Sequence, residues 1–126
     1  MARILVVEDS PDNMKLFRAV LTIQGHAVTG LPSGEGLEQI LASEPPDLVL
    51  MDIQLPGADG FALLQVIRDH RAGQIPVIAL TAHAMDGDRE RALEAGFDDY
   101  ITKPINVREF PGQIERAVAR TSGAQP

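Results

Sequence analysis

Short, wholly apolar runs alternate along the chain with longer segments in which apolar positions recur every three or four residues. ILVV (4–7), LVLM (48–51) and VIAL (77–80) carry no polar residue, the pattern of strands covered on both faces. AVTGL (27–31) and DDYI (98–101) are more polar and are expected to flank them. Between the first two runs, SPDNMKLFRAVLTIQG opens with Ser10 as N-cap and Pro11 at the first helical position, and it closes on Gly25 as C-cap. Residues 34–43 (GEGLEQILAS), 60–71 (GFALLQVIRDHR) and 87–96 (GDRERALEAG) repeat the helical theme. The last of these has few apolar residues, which predicts a weak hold on the sheet. A final helix is expected in NVREFPGQIERAVART, where Pro111 lacks an N–H and, with Gly112, should disturb the first turns.

Five strand–helix units in this order predict an α/β fold: a doubly wound, five-stranded parallel sheet of strand order 2-1-3-4-5, the flavodoxin-like (βα)5 solution. The chain has 126 residues, which suits one domain of ordinary size. That domain is expected over residues 1–120, with TSGAQP (121–126) as a flexible tail. There is no cysteine, in keeping with a reducing compartment. The apolar run near the N-terminus is too short for a signal peptide or a membrane span, so a cytoplasmic location without membrane insertion is expected. A net charge of −7 opposes binding to a phosphate backbone, so no nucleic-acid partner is expected.

Ligands of doubly wound sheets bind beyond the carboxyl ends of the strands, and the chemistry-bearing residues collect there. The first strand ends on Glu8 and Asp9, the third on Asp52 and the fourth on Thr81, and the fifth is followed by Lys103 and Pro104. A buried strand should end on a carboxylate only at the surface or where something pairs with it. Three carboxylates in one crevice repel one another and are held ionised most readily by a hard divalent cation and a nearby ammonium. With no His or Cys cluster to favour zinc, Mg²⁺ is the best match. Taken singly, each acid reads more readily as a helix N-cap. That account explains neither the lysine beside the carboxylates nor the hydroxyl ending the fourth strand.

Through VVEDSPDN, DLVLMDIQLPGADG, VIALTAHA and YITKPI, the chain resembles the receiver (CheY-like) domain of two-component response regulators over about residues 3–120. The resemblance implies that Asp52 accepts a phosphoryl group from a phosphohistidine, that Lys103 stabilises its charge, and that Thr81 is the switch hydroxyl. It implies Mg²⁺ on Asp9, Asp52 and the backbone carbonyl of Gln54, with Glu8 acting through water. It implies a cis bond between Lys103 and Pro104, and a coupled switch of Thr81 with Tyr100, the only tyrosine. Gln54 and His83 stand where relatives tune the lifetime of the acyl phosphate. Asn13, Met14, Phe17 and Ile105 stand where receivers meet a histidine kinase or histidine phosphotransfer protein.

Three rival functions are weaker. Phosphohydrolases of the haloacid dehalogenase type place the nucleophile after the first strand with a second aspartate two residues on, whereas here residue 54 is glutamine. A flavin carrier needs a phosphate-binding first loop, and VEDSPDN is acidic. A scaffold that is never phosphorylated has no use for all five site residues. The expectation is therefore a signalling protein that catalyses only its own phosphorylation and dephosphorylation and acts on a downstream protein target. VEDSPDNMKLF and MDIQLP resemble stand-alone regulators of the DivK type and also receivers of hybrid histidine kinases. Pro111 and Gly112 argue against carrying over a dimer through the last helix from relatives, and a monomer or weak dimer is expected.

Overall fold

The computed structural model describes residues 2–53, 60–70, 75–81, 88–103 and 105–123. Five strands alternate with five helices: β1 (Arg3–Val7), α1 (Pro11–Ile23), β2 (Ala27–Leu31), α2 (Leu37–Ser43), β3 (Leu48–Asp52), α3 (Gly60–Asp69), β4 (Val77–Thr81), α4 (Asp88–Ala95), β5 (Asp99–Thr102) and α5 (Phe110–Gly123). All pairings are parallel and the order is β2-β1-β3-β4-β5, as the periodicity predicts.

Every residue of β3 and β4 is buried, because each face of the sheet carries helices. Alternate residues feed two separate cores. Ile4, Val6, Leu48, Leu50, Ile78 and Leu80 pack under α1 and α5 with Phe17, Leu21, Phe110 and Ile114. Leu5, Val7, Val49, Met51, Val77 and Ala79 pack under α2, α3 and α4 with Leu37, Leu41, Leu64, Ile67 and Ala92. Central strands that are apolar except at their ends are what this arrangement requires.

The helix ends follow local chemistry. Ser10 Oγ accepts the Asn13 N–H at 3.3 Å with Pro11 at the first helical position. At the other end, Gly25 takes a φ of +91°, and the N–H groups of Gly25 and His26 return to Thr22 and Leu21. Gly96 ends α4 in the same way, at a φ of +115°, with bonds to Leu93 and Ala92. Both are Schellman stops, which need a residue free to adopt left-handed backbone.

Most element boundaries shift by one or two residues from the sequence reading, and those of α2 and α5 shift furthest. Helix α2 starts at Leu37 rather than at residue 34, since the two glycines before it have poor helix propensity. Helix α5 starts at Phe110, so Pro111 falls in its first turn, where a missing N–H costs nothing. The preceding turn is held by Asn106, whose Oδ1 accepts the N–H of Arg108 at 2.9 Å. Pro111 therefore sets where the helix begins instead of disturbing it. Helix α5 also runs on to Gly123, past residue 120, where the domain was expected to end.

The weak hold of α4 has a structural counterpart: among its described side chains only Ala92 is buried. Aromatic contacts supplement it. Phe61 of α3 meets Phe97 edge-on at 5.6 Å, and the Arg91 guanidinium lies 5.3 Å from the Phe61 ring centroid, a geometry worth about 0.5–1 kcal/mol at exposed sites.

Candidate functional site

The strand register brings the expected residues to one rim. Val7 pairs with Met51, Asp52 with Leu80 and Thr81 with Thr102, so the carboxyl ends of β1, β3, β4 and β5 lie level. The backbone continues this order past the strands: Glu8 N–H donates to Leu31 O at 3.0 Å, Ile53 N–H to Leu80 O at 3.1 Å and Lys103 N–H to Thr81 O at 2.7 Å.

Glu8, Asp52 and Thr81 are all buried, at 1%, 2% and 1% exposure. Burying two carboxylates side by side is unfavourable unless a cation joins them. Lys103 supplies it, with Nζ 2.9 Å from Glu8 Oε1 and 2.9 Å from Asp52 Oδ2. The second Glu8 oxygen, Oε2, accepts the Ser10 N–H at 3.2 Å. Both oxygens of Glu8 are thus engaged inside the protein. Asp9, the next residue, is exposed.

The electrostatics reflect that geometry. Burial pushes the Glu8 carboxyl above its ordinary value, and repulsion from Asp52 adds to this, against the hydrogen bonds from Lys103 and Ser10. For Lys103 burial acts downward, but hydrogen bonds to Asp52 and Glu8 outweigh it and hold the ammonium above its ordinary value. The lysine is therefore firmly charged.

Glu8, Asp9 and Asp52 each offer an oxygen, all within 4.8 Å of one another. Three hard oxygen donors, one of them open to solvent, suit a cation that keeps much of its water, and Mg²⁺ is the common one.

Other expected positions fall in varied surroundings. Tyr100 is half-buried on β5 opposite Ala79, against the core under α2, α3 and α4. Asn13 is half-buried at the start of α1, and Met14 and Ile105 pack partly covered against the α1/α5 core. Phe17 corrects the sequence reading. It is 1% exposed and packs 5.6 Å from the Phe110 ring, because its place on α1 lies on the inward stripe, so it is core and offers no surface to a partner. Gln54, His83 and Pro104 lie outside the described residues.

Sequence reasoning found Ser10 as a helix cap but missed its second task, the grip of its N–H on Glu8. The only signal was its spacing of two from Glu8.

A profile of the response regulator receiver domain matches residues 4–115. The chain is 42% identical over 108 residues to the polar-differentiation response regulator DivK of Brucella ovis, covering 85% of this chain and 88% of that protein. It is 39% identical over 112 residues to the sensor histidine kinase GacS of Pseudomonas protegens, covering 86% of this chain but 12% of that protein. The chain thus spans a small part of one such relative and most of another. Among solved structures, the fold is similar to the receiver domain of the Pseudomonas aeruginosa sensor histidine kinase PA1611, with magnesium in its active-site cleft. The TM-score is 0.84 at 37% identity, over 94% of this chain and 98% of that one.

Proposed function

Because the chain belongs to the response regulator receiver domain family, we propose that it is a phosphoacceptor of two-component signalling that receives its phosphoryl group from a phosphohistidine on Asp52. The observation that carries this reading is the Lys103 ammonium, 2.9 Å from both Asp52 and Glu8 at the carboxyl rim of the sheet. An Asp52 carboxylate oxygen attacks phosphorus, the O–P bond forms as the N–P bond of phosphohistidine breaks, and the imidazole leaves with the electron pair of that bond. Phosphoryl transfer asks mainly for positioning and charge stabilisation. Lys103 supplies charge at the phosphoryl oxygens, and Glu8 keeps the lysine in place when Asp52 is consumed.

When bound, Mg²⁺ would supply further charge neutralisation for the transferring phosphoryl group. Asp9 and Asp52 would hold it, with Glu8 acting through water. Outer-shell partners alone are worth about 10- to 100-fold in metal affinity, so Asp9→Asn should weaken Mg²⁺ binding by at least about tenfold. Glu8→Gln should weaken it less. An NMR titration with Mg²⁺ ranks the two, and equal, unaltered affinities would make the acidic pair purely structural.

The Thr81 hydroxyl donates to a phosphoryl oxygen, and its inward movement is coupled to Tyr100 and to the surface of α4, β5 and α5. Thr81→Ala should therefore still accept phosphate while transmitting less. One hydrogen bond to a charged group is worth roughly 1.5–3 kcal/mol, enough to change a two-state bias about tenfold or more. The check is the ratio of phosphorylated to unphosphorylated partner affinity, compared between parent and variant at matched phosphorylation. An unchanged ratio removes Thr81 from the signal path.

The phosphodonor is a histidine kinase or histidine phosphotransfer protein and the target a protein, both met in the cytoplasm. The chain catalyses only its own phosphorylation and dephosphorylation. Likeness to GacS and to the PA1611 receiver supports a second reading with the same chemistry, in which the domain serves a larger histidine kinase. The direct test of the acceptor reading is acetyl phosphate with Mg²⁺, read by intact mass. One added phosphoryl group per chain is expected, and no addition counts against it. Among the described residues, no helix is long and apolar enough to cross a membrane.

A further inference from the structure

We propose that Gly60 is a positioning residue for Asp52: the missing side chain lets the first turn of α3 rest directly on the Asp52–Ile53 peptide and so sets where the carboxylate stands. Gly60 is buried and is the first residue of α3. A Cβ at this position would lie 2.6 Å from Ile53 Cα, 2.8 Å from the Asp52 carbonyl oxygen and 3.3 Å from the Ile53 carbonyl carbon. Carbon atoms pack best about 3.5–4.0 Å apart, so either the first turn of α3 or the Asp52–Ile53 peptide must give way.

The identity of the neighbours decides the cost. A Cβ on Gly34 would also come within 2.6 Å of another atom, but that atom is Leu63 Cδ2, at the end of a side chain that can rotate. On Gly30 the nearest atoms are Arg18 Nη2 and Met14 Sδ, again side-chain ends. Among the described glycines, Gly60 alone faces main chain. Main chain cannot rotate aside, and here it is the peptide that carries the acceptor. The same peptide is tied to β4 by the Ile53 N–H bond to Leu80 O at 3.1 Å, and the Asp52 carboxylate is aimed at Lys103 Nζ at 2.9 Å. Helix α3, β4 and Lys103 therefore hold Asp52 from three directions.

Helix propensity argues the other way, since alanine is about 1 kcal/mol better than glycine in a helix interior. As a helical residue of α3, the position does not call for the left-handed backbone that glycine adopts freely. What the position uses is the absence of volume.

The inference rests on Asp52 as the phosphoacceptor, and its test separates the two. Parent, Gly60→Ala and Gly112→Ala are labelled with acetyl phosphate and Mg²⁺ and followed by intact mass. Amide hydrogen exchange at Ile53 is measured in parallel without donor or metal. Gly112 lies in α5, where a Cβ meets only Arg116 Nη1, at 3.4 Å, so that variant should label as the parent does. In Gly60→Ala the labelling rate should fall by about tenfold or more, the usual cost of misplacing reacting groups by an ångström or less. Ile53 should exchange faster while the amides of Val6 and Leu50 keep their protection.

Labelling of folded Gly60→Ala at the parental rate overturns the proposal. If the parent itself takes no label, the acceptor reading fails, and Ile53 exchange alone decides whether Gly60 places this peptide. Should Gly60→Ala unfold in buffer, the comparison is repeated for all three proteins in trimethylamine N-oxide, which favours compact states. A variant that stays unfolded there also overturns the proposal, because Gly60 would then serve the fold as a whole.

Discussion

Asp52→Asn is expected to take up no phosphoryl group from acetyl phosphate and Mg²⁺ under conditions that label the parent. The amide nitrogen of asparagine has its lone pair delocalised and its oxygen carries no charge, so the nucleophile is lost while size and shape remain. Fold should survive: Asp52 is buried, the amide has nearly the same size, and its oxygen can still accept from Lys103. The change also removes one of two neighbouring buried carboxylates, which relieves the repulsion that helps push Glu8 upward. Loss of label with retained cooperative unfolding is the expected pair of results. Equal labelling of the variant would move the acceptor to another residue, and the remaining acids of the cluster, Glu8 and Asp9, would be the first to map by peptide mass.

Lys103→Met should give the largest change in stability, and one that depends on pH. Methionine keeps most of the side-chain length and removes the ammonium, leaving Glu8 and Asp52 buried without their cation. Breaking a buried pair by deleting one partner costs about 3–5 kcal/mol. The cleft opens to water at the exposed Asp9, so about 2–4 kcal/mol at neutral pH is the expectation.

The sign with pH follows from the two raised groups. Glu8 titrates above its ordinary 4.5 in the folded protein, so its contribution is fully present below that value and is lost as pH rises through the folded value. Lys103 titrates above 10.5, so its contribution holds up to that value and is lost only above it. Removing the lysine deletes the strongest interaction that keeps Glu8 low, and Glu8 should rise further. The deficit of Lys103→Met should therefore be greatest at neutral pH and shrink as pH falls toward the ordinary carboxyl range, where Glu8 protonates. Urea unfolding of parent and variant at both ends of that window measures it. A deficit independent of pH would assign the loss to packing instead of charge.

The elements themselves were legible because their signals are local. Wholly apolar runs of four residues marked the three central strands, and the observed β1, β3 and β4 extend them by one residue each. Ser10 and Pro11 marked the start of α1 through the needs of its first free N–H groups. The alternation of strands and helices led to the order β2-β1-β3-β4-β5, and from that order to the rim where Glu8, Asp9, Asp52, Thr81 and Lys103 stand at or just past the strand ends.

What the sequence by itself determined, then, was the identity of the chemical groups and the rim on which they stand, since both follow from periodicity and strand ends. Tertiary structure alone decided the rest. Pro111 reads as a helix breaker until Asn106 holds the turn before it and the helix begins at Phe110. Phe17 reads as surface until it meets Phe110, 93 residues further along the chain, at 5.6 Å. Lys103 chooses Glu8 as well as Asp52 only because the ends of β1, β3 and β5 are level to within hydrogen-bonding reach. Gly60 reads only as the first residue of a helix until the Asp52–Ile53 peptide lies against it. Each of these depends on distances between segments far apart in sequence or joined by a loop, and such distances are set by how two cores pack on one sheet, which no local pattern encodes.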